Sequence, residues 1–124
     1  MRIFKYAWLL FVPLLGMSCY HKDKKNGIER VNHTDCLVGM AFEHYVDKGT
    51  TPHQLYVDDK ADNTIDGYAT IDSITGEPQN GERILRNAKS VLREYNFPHA
   101  VADTSQRAVE LQKEFDAVKA KYNQ

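Results

Sequence analysis

The stretch from Gln106 to Tyr122 constrains this chain more than any other. Apolar residues fall at Ala108, Leu111, Phe115, Val118 and Tyr122, in alternating steps of three and four, with charged residues filling most of the positions between. That spacing lines one face of an α-helix. Asp103 or Thr104 opens it, and Gln106 stands where a capping box is completed. A single apolar stripe must be buried, so the rest of the chain is read for what can cover it.

The nearest upstream candidate is Glu82 to Tyr95, where Ile84, Leu85, Ala88, Val91, Leu92 and Tyr95 also recur at helical spacing before Asn96-Phe97-Pro98 ends the run. The two segments are expected to form an antiparallel helical hairpin. Further back, Thr34 or Asp35 can cap a helix through CLVGMAFEHYVDK that stops at Gly49. Its apolar residues surround the axis, so it is placed in the middle of the fold. The expected fold is therefore mainly α: a small helical domain over residues 34–124 with a C-terminal helical hairpin.

Between these helices lies DDKADNTIDGYATIDSITGEPQNG, crowded with Asp58, Asp59, Asp62, Asp66 and Asp72. It reads as an acidic, turn-rich excursion with room for a short β-hairpin, pinned to the core by Ile65, Tyr68, Ile71 and Ile74. A calcium loop of the EF-hand type places oxygen ligands at alternate positions, a glycine at the sixth and a bidentate glutamate at the twelfth. Counted from Asp62, the residues Asp62, Thr64, Asp66 and Gly67 fit, whereas Ala69 and Ser73 stand at the eighth and twelfth positions. Cation binding through Asp62, Thr64 and Asp66, within segment 58–73, is the alternative functional reading.

The N-terminus bears on location. Arg2 and Lys5 precede an apolar block, Ala7 to Leu15, which is shorter than the roughly 20 residues needed to span a bilayer. It reads as an export signal over residues 1–18, cut before Cys19. Residues 20–33 are dense in Lys, Asp, Asn and Gly, and a flexible tether over 19–33 is expected. The segment LGMSC resembles the lipobox of bacterial lipoproteins, with the small Ser18 before the cysteine and Leu15 four positions ahead of it. The resemblance covers residues 1–19 alone. It implies a diacylglycerol-modified Cys19, palmitate-type acyl chains, and a lipid-anchored envelope protein. Because Tyr20, not Asp, follows the cysteine, it further implies the outer membrane, with the domain facing the periplasm.

Cys36 offers the competing fate for Cys19, since the chain has two cysteines and a Cys19–Cys36 disulfide would give a soluble secreted or periplasmic protein. The two fates exclude each other, because a thioether-linked Cys19 has no thiol left to oxidise.

Composition excludes several classes. The formal charge is −1, and loss of the leader removes two further positive residues, Arg2 and Lys5, so a nucleic-acid partner is not expected. No hydrolase elbow, zinc helix, phosphate loop or dinucleotide fingerprint occurs. His33 with Cys36, and His44 or His53, is the one histidine set that folding could gather around a soft metal, and no cofactor is expected. Against the acidic 58–77 segment stands a basic quartet, Arg83, Arg86, Lys89 and Arg93, on the expected helix from Glu82. It is read as a patch facing an envelope protein. The resulting expectation is a non-enzymatic protein-binding lipoprotein: an immunity or inhibitor protein, or an accessory subunit of an envelope complex.

Overall fold

A computed structural model describes residues 18–35, 40–90 and 92–124. Over these described residues it replaces the mainly α expectation with one seven-stranded mixed sheet and one long C-terminal helix. The strands are β1 (Ser18–Lys25), β2 (Ile28–Asp35), β3 (Met40–Asp47), β4 (Gln54–Asp59), β5 (Gly67–Ile71), β6 (Pro78–Leu85) and β7 (His99–Ala102). The helix α1 is Gln106–Tyr122. Strand order in space follows strand order in the chain. Each pairing from β1 to β6 is antiparallel, and β7 returns to lie parallel to β6.

The segment expected as a tether forms the first hairpin. Asn26 and Gly27 both hold positive φ, 55° and 79°, the geometry of a two-residue turn whose twist matches that of the flanking strands. Cys19 pairs with Thr34 and Lys25 with Ile28, so the sheet starts before residue 20. The expected central helix is strand β3 instead. Its apolar residues are continuous because the sheet is covered on both faces: Tyr45 points to the helix side, and His44 and Val46 to the other.

The helix expected from Glu82 is also absent, and with it the helical hairpin. Residues 78–85 complete β6 against β5. Asn87 and Ala88 then turn the chain at φ 57° and 61°, closed by Arg86 N to Lys89 O at 2.8 Å and Lys89 N to Arg86 O at 3.2 Å. From there the chain crosses the face opposite α1, where Leu92 and Phe97 pack on Val46, Leu55, Val57, Ala69 and Ile71. The crossing runs close to the sheet at Gly81. A Cβ there would lie 2.4 Å from the Asn96 carbonyl oxygen and 2.7 Å from Phe97 Cα. Gly81→Ala is therefore expected to displace the crossover and cost about 1–3 kcal/mol of stability, read as a lowered urea midpoint. An unchanged midpoint would show that the crossover does not press on β6.

Helix α1 forms where its spacing placed it. Ser105 is the cap, one residue beyond Thr104, and its hydroxyl accepts from Ala108 N at 3.2 Å. All five stripe residues are buried, against Ile28, Tyr45, Tyr56, Ile65 and Ile84 of the sheet side. Phe115 meets the rings of Tyr45 at 5.7 Å and Tyr56 at 6.3 Å. Arg107 fastens the start of the helix to β6, with two nitrogens on the Glu82 carboxylate at 2.7 and 2.8 Å. Among the described residues, no helix is long and apolar enough to cross a membrane.

Candidate functional site

The β4–β5 connection gathers carboxylates. Asp58, next to last in β4, is fully buried, Asp66 precedes β5 half-buried, and Asp62 is exposed between them; oxygens of all three lie within 4.8 Å of one another. Of the residues expected to ligate a cation, Asp62 and Asp66 are brought together. Thr64 joins through its backbone, its N–H donating to Asp62 Oδ1 at 3.1 Å. The third carboxylate, Asp58, was outside the calcium template because it comes from the strand end.

These oxygens also shape the loop. Asp58 accepts from the amides of Asp62 at 3.1 Å and Asn63 at 2.9 Å, and Asp66 accepts from Asp59 N at 2.8 Å. The arrangement holds Lys60, Ala61 and Asn63 in the left-handed region, at a strain offset by those hydrogen bonds. Burial pushes the Asp58 carboxyl up to about 7, against the opposing pull of the Asn63 amide. Burial likewise raises Asp66 to about 6, although the amide of Asp59 and the nearby Arg86 draw it down. Convergence of the three carboxylates is thus accounted for as a staple of this loop.

The basic quartet does not form a helical face. Arg83 lies on β6 and donates to the Phe97 carbonyl at 2.6 Å, pinning the crossover to the sheet, with Glu94 at 3.8 Å. Arg86 donates to the Ile65 carbonyl and stands 3.5 Å from Asp66. Lys89 is exposed in the turn after β6, and Arg93 is exposed on the crossover. Two of the four are therefore internal fasteners between the acidic connection, the sheet and the crossover. Their charge was readable in the sequence, but their partners become neighbours only through folding.

His33 and His44 come from adjacent strands and lie near each other, and burial drives His44 down to about 3, with His33 and Lys22 adding like-charge repulsion. His53 is in the β3–β4 connection, away from that pair in strand register. Cys36 lies outside the described residues, so the proposed soft-metal set and the Cys19–Cys36 bridge do too. Among the described residues, the group of three or more potential metal-ligating side chains is Asp58, Asp62 and Asp66.

Two features escaped the sequence reading. An open cleft of about 300 Å³ lies between the first turns of α1 and the β4–β5 connection, floored by Ile65, Ile84 and Ala108 and rimmed by Arg86 and Lys113. The second is Ile74, expected as a core pin, which is 85 % exposed at the tip of the β5–β6 hairpin. The tip is braced by the Asp72 carboxylate. Asp72 Oδ1 accepts from the amides of Ile74 at 2.7 Å and Thr75 at 2.9 Å, and its Oδ2 accepts from Gln79 Nε2 at 2.6 Å. These donors hold the Asp72 carboxyl below the usual carboxylate range. Tyr95, 72 % exposed, stands on the crossover just before Asn96 and Phe97, which approach Gly81 of β6. Compared with protein-family models, with curated proteins and with solved structures, the chain matches none.

Proposed function

We propose that this chain is a bacterial envelope lipoprotein, anchored through acylated Cys19, whose domain is a non-enzymatic protein-binding module. Within that class it acts as an immunity or inhibitor protein or as an accessory subunit of an envelope complex, at the periplasmic face of the outer membrane. The observation that carries the reading is the stapled tip bearing Ile74. An isolated exposed apolar side chain is ordinary, but this one sits on a turn braced by three hydrogen bonds to Asp72. Preorganisation removes part of the ordering cost of association. Arg83 and Arg86 are engaged within the domain, so the contact surface shifts from the basic quartet to the tip and Tyr95.

A photoreactive amino acid placed at Ile74 in cells tests this. The expected result is a discrete adduct with one envelope protein, absent when the same group replaces Lys113 on α1. With the partner purified, Ile74→Asp is expected to weaken binding roughly 10- to 100-fold, the equivalent of burying one such side chain. Equal, diffuse labelling from both positions, with no adduct enriched at Ile74, would overturn the reading.

A further inference from the structure

The pairing of β1 changes what a lipid on Cys19 would do. After cleavage, Cys19 is the first residue, and its backbone partner is Thr34; Tyr20 pairs with His33 and His21 with Asn32. The anchor residue is itself a rung of the sheet. At about 3.3 Å of rise per residue, His21 lies roughly 7 Å along β1 from the anchor and Lys25 roughly 20 Å. Acyl chains must lie in the hydrocarbon, so Cys19 is fixed at the headgroup boundary.

We propose that the acylated protein carries no spacer and that the Cys19 end of its folded sheet is seated directly against the bilayer surface. This rests on the lipoprotein reading and adds the geometry of attachment to it. The partner of this end of the molecule is the lipid surface itself. The contact is steric in origin: the register carries the Cys19 end of the sheet across to Asp35 of β2, to Asp59 at the end of β4 and to the acidic β4–β5 connection, with Lys60 and Arg86 at the same end, and this mixture of charge gives no strong electrostatic attraction. The β5–β6 tip bearing Ile74 lies four to five strand spacings from β1, about 20–24 Å across the sheet, and at the end of the strands away from Cys19, beyond the level shared by Lys25, Ile28, Asp47, Gln54 and Thr70. A partner must therefore present its surface within about one domain's width of the membrane.

The test uses the full chain, processed in bacteria and reconstituted in vesicles of phosphatidylethanolamine and phosphatidylglycerol that contain a headgroup-attached quencher. A fluorophore is placed at the exposed His21 (H21C) or at the exposed hairpin-tip Ser73 (S73C), each in a Cys36→Ser background, and intact mass establishes acylation first. The expected result is strong quenching at position 21 and at least a several-fold weaker effect at position 73. Insertion of about twelve Gly/Ser residues between Cys19 and Tyr20, a flexible coil by composition, should abolish the quenching at position 21. Acylated protein whose quenching at position 21 is weak, or is unchanged by the insertion, would overturn the direct seating and leave the lipoprotein reading intact. A mature mass without acyl chains would overturn both.

Discussion

Phe115→Ala is expected to remove about 3–5 kcal/mol of stability. The ring is completely buried near the centre of α1, between Tyr45 and Tyr56 of the sheet, with the Lys119 ammonium 4.3 Å from its centroid. Truncation removes the transfer free energy of the ring and leaves a cavity, because Tyr45 and Tyr56 sit on strands that cannot close in. Domains of this size have only about 5–15 kcal/mol in total, so a large fraction of the protein should be unfolded at moderate urea. Val109→Ala, on the exposed side of the same helix, should change stability by less than about 0.5 kcal/mol. A loss below about 1 kcal/mol at Phe115 would mean that α1 is not docked through this ring.

The second large effect is a pH response with two opposed parts. His44 is held down to about 3 by burial, so the native state stays unprotonated there while the unfolded chain takes up a proton below its ordinary 6.5. Its contribution is complete above pH 6.5 and is lost as pH falls toward 3. Asp58 behaves oppositely. Its carboxyl is raised to about 7 from 3.8, so stability is greatest below 3.8 and is lost as pH rises through 7. Asp66, raised to about 6, works in the same direction as Asp58, and His33, lowered by burial, in the same direction as His44.

Relative to the natural protein, His44→Gln should become progressively more stable as pH is lowered from 6.5 to 4, and Asp58→Asn progressively less. The gap between the two variants is expected to widen by roughly 2–3 kcal/mol for each pH unit in that window, since each full titration contributes roughly 1.4 kcal/mol per unit. Urea midpoints at several pH values read it directly. Parallel profiles for the two variants would show that neither group is buried in the ionisation state described.

The errors in reading the sequence have physical causes that differ from element to element. Helix α1 was legible because its stripe is narrow and its other faces are wet, which only a helix on the surface of a core produces. Strand β3 was not, because a strand buried on both faces loses the period-two alternation and looks like a helix that is apolar all round. The run from Ile84 to Tyr95 had helical spacing by coincidence: Ile84 faces α1, Leu92 packs on the opposite face, and Tyr95 is in solvent. The first hairpin did leave a signal. Asn26-Gly27 is the strongest short turn pair there is, but the many lysines around it suggested solvation more than pairing. Charged side chains along β1 are what an edge strand uses to discourage further pairing.

The acidic connection was half legible. Asp62 and Asp66 were marked by sequence density, whereas Asp58 joins them only because β4 ends beneath the loop. The basic residues were visible as charge, and their use as fasteners was not, since Phe97 and Ile65 offer backbone carbonyls that no side-chain pattern announces.

Every antiparallel pairing in the sheet joins chain neighbours, so β1 to β6 can assemble in the order in which they are synthesised, with little loop entropy to overcome. The helix that covers Tyr45, Tyr56 and Tyr68 follows every strand of the sheet in chain order. Until it arrives, the growing sheet is a half-built structure with an aromatic wall facing water, unable to settle into a closed core. Completion thus waits on a segment made after the sheet: Gln106 to Tyr122 acts as its latch, and a nascent or shortened chain that stops before it remains open and adhesive along that wall.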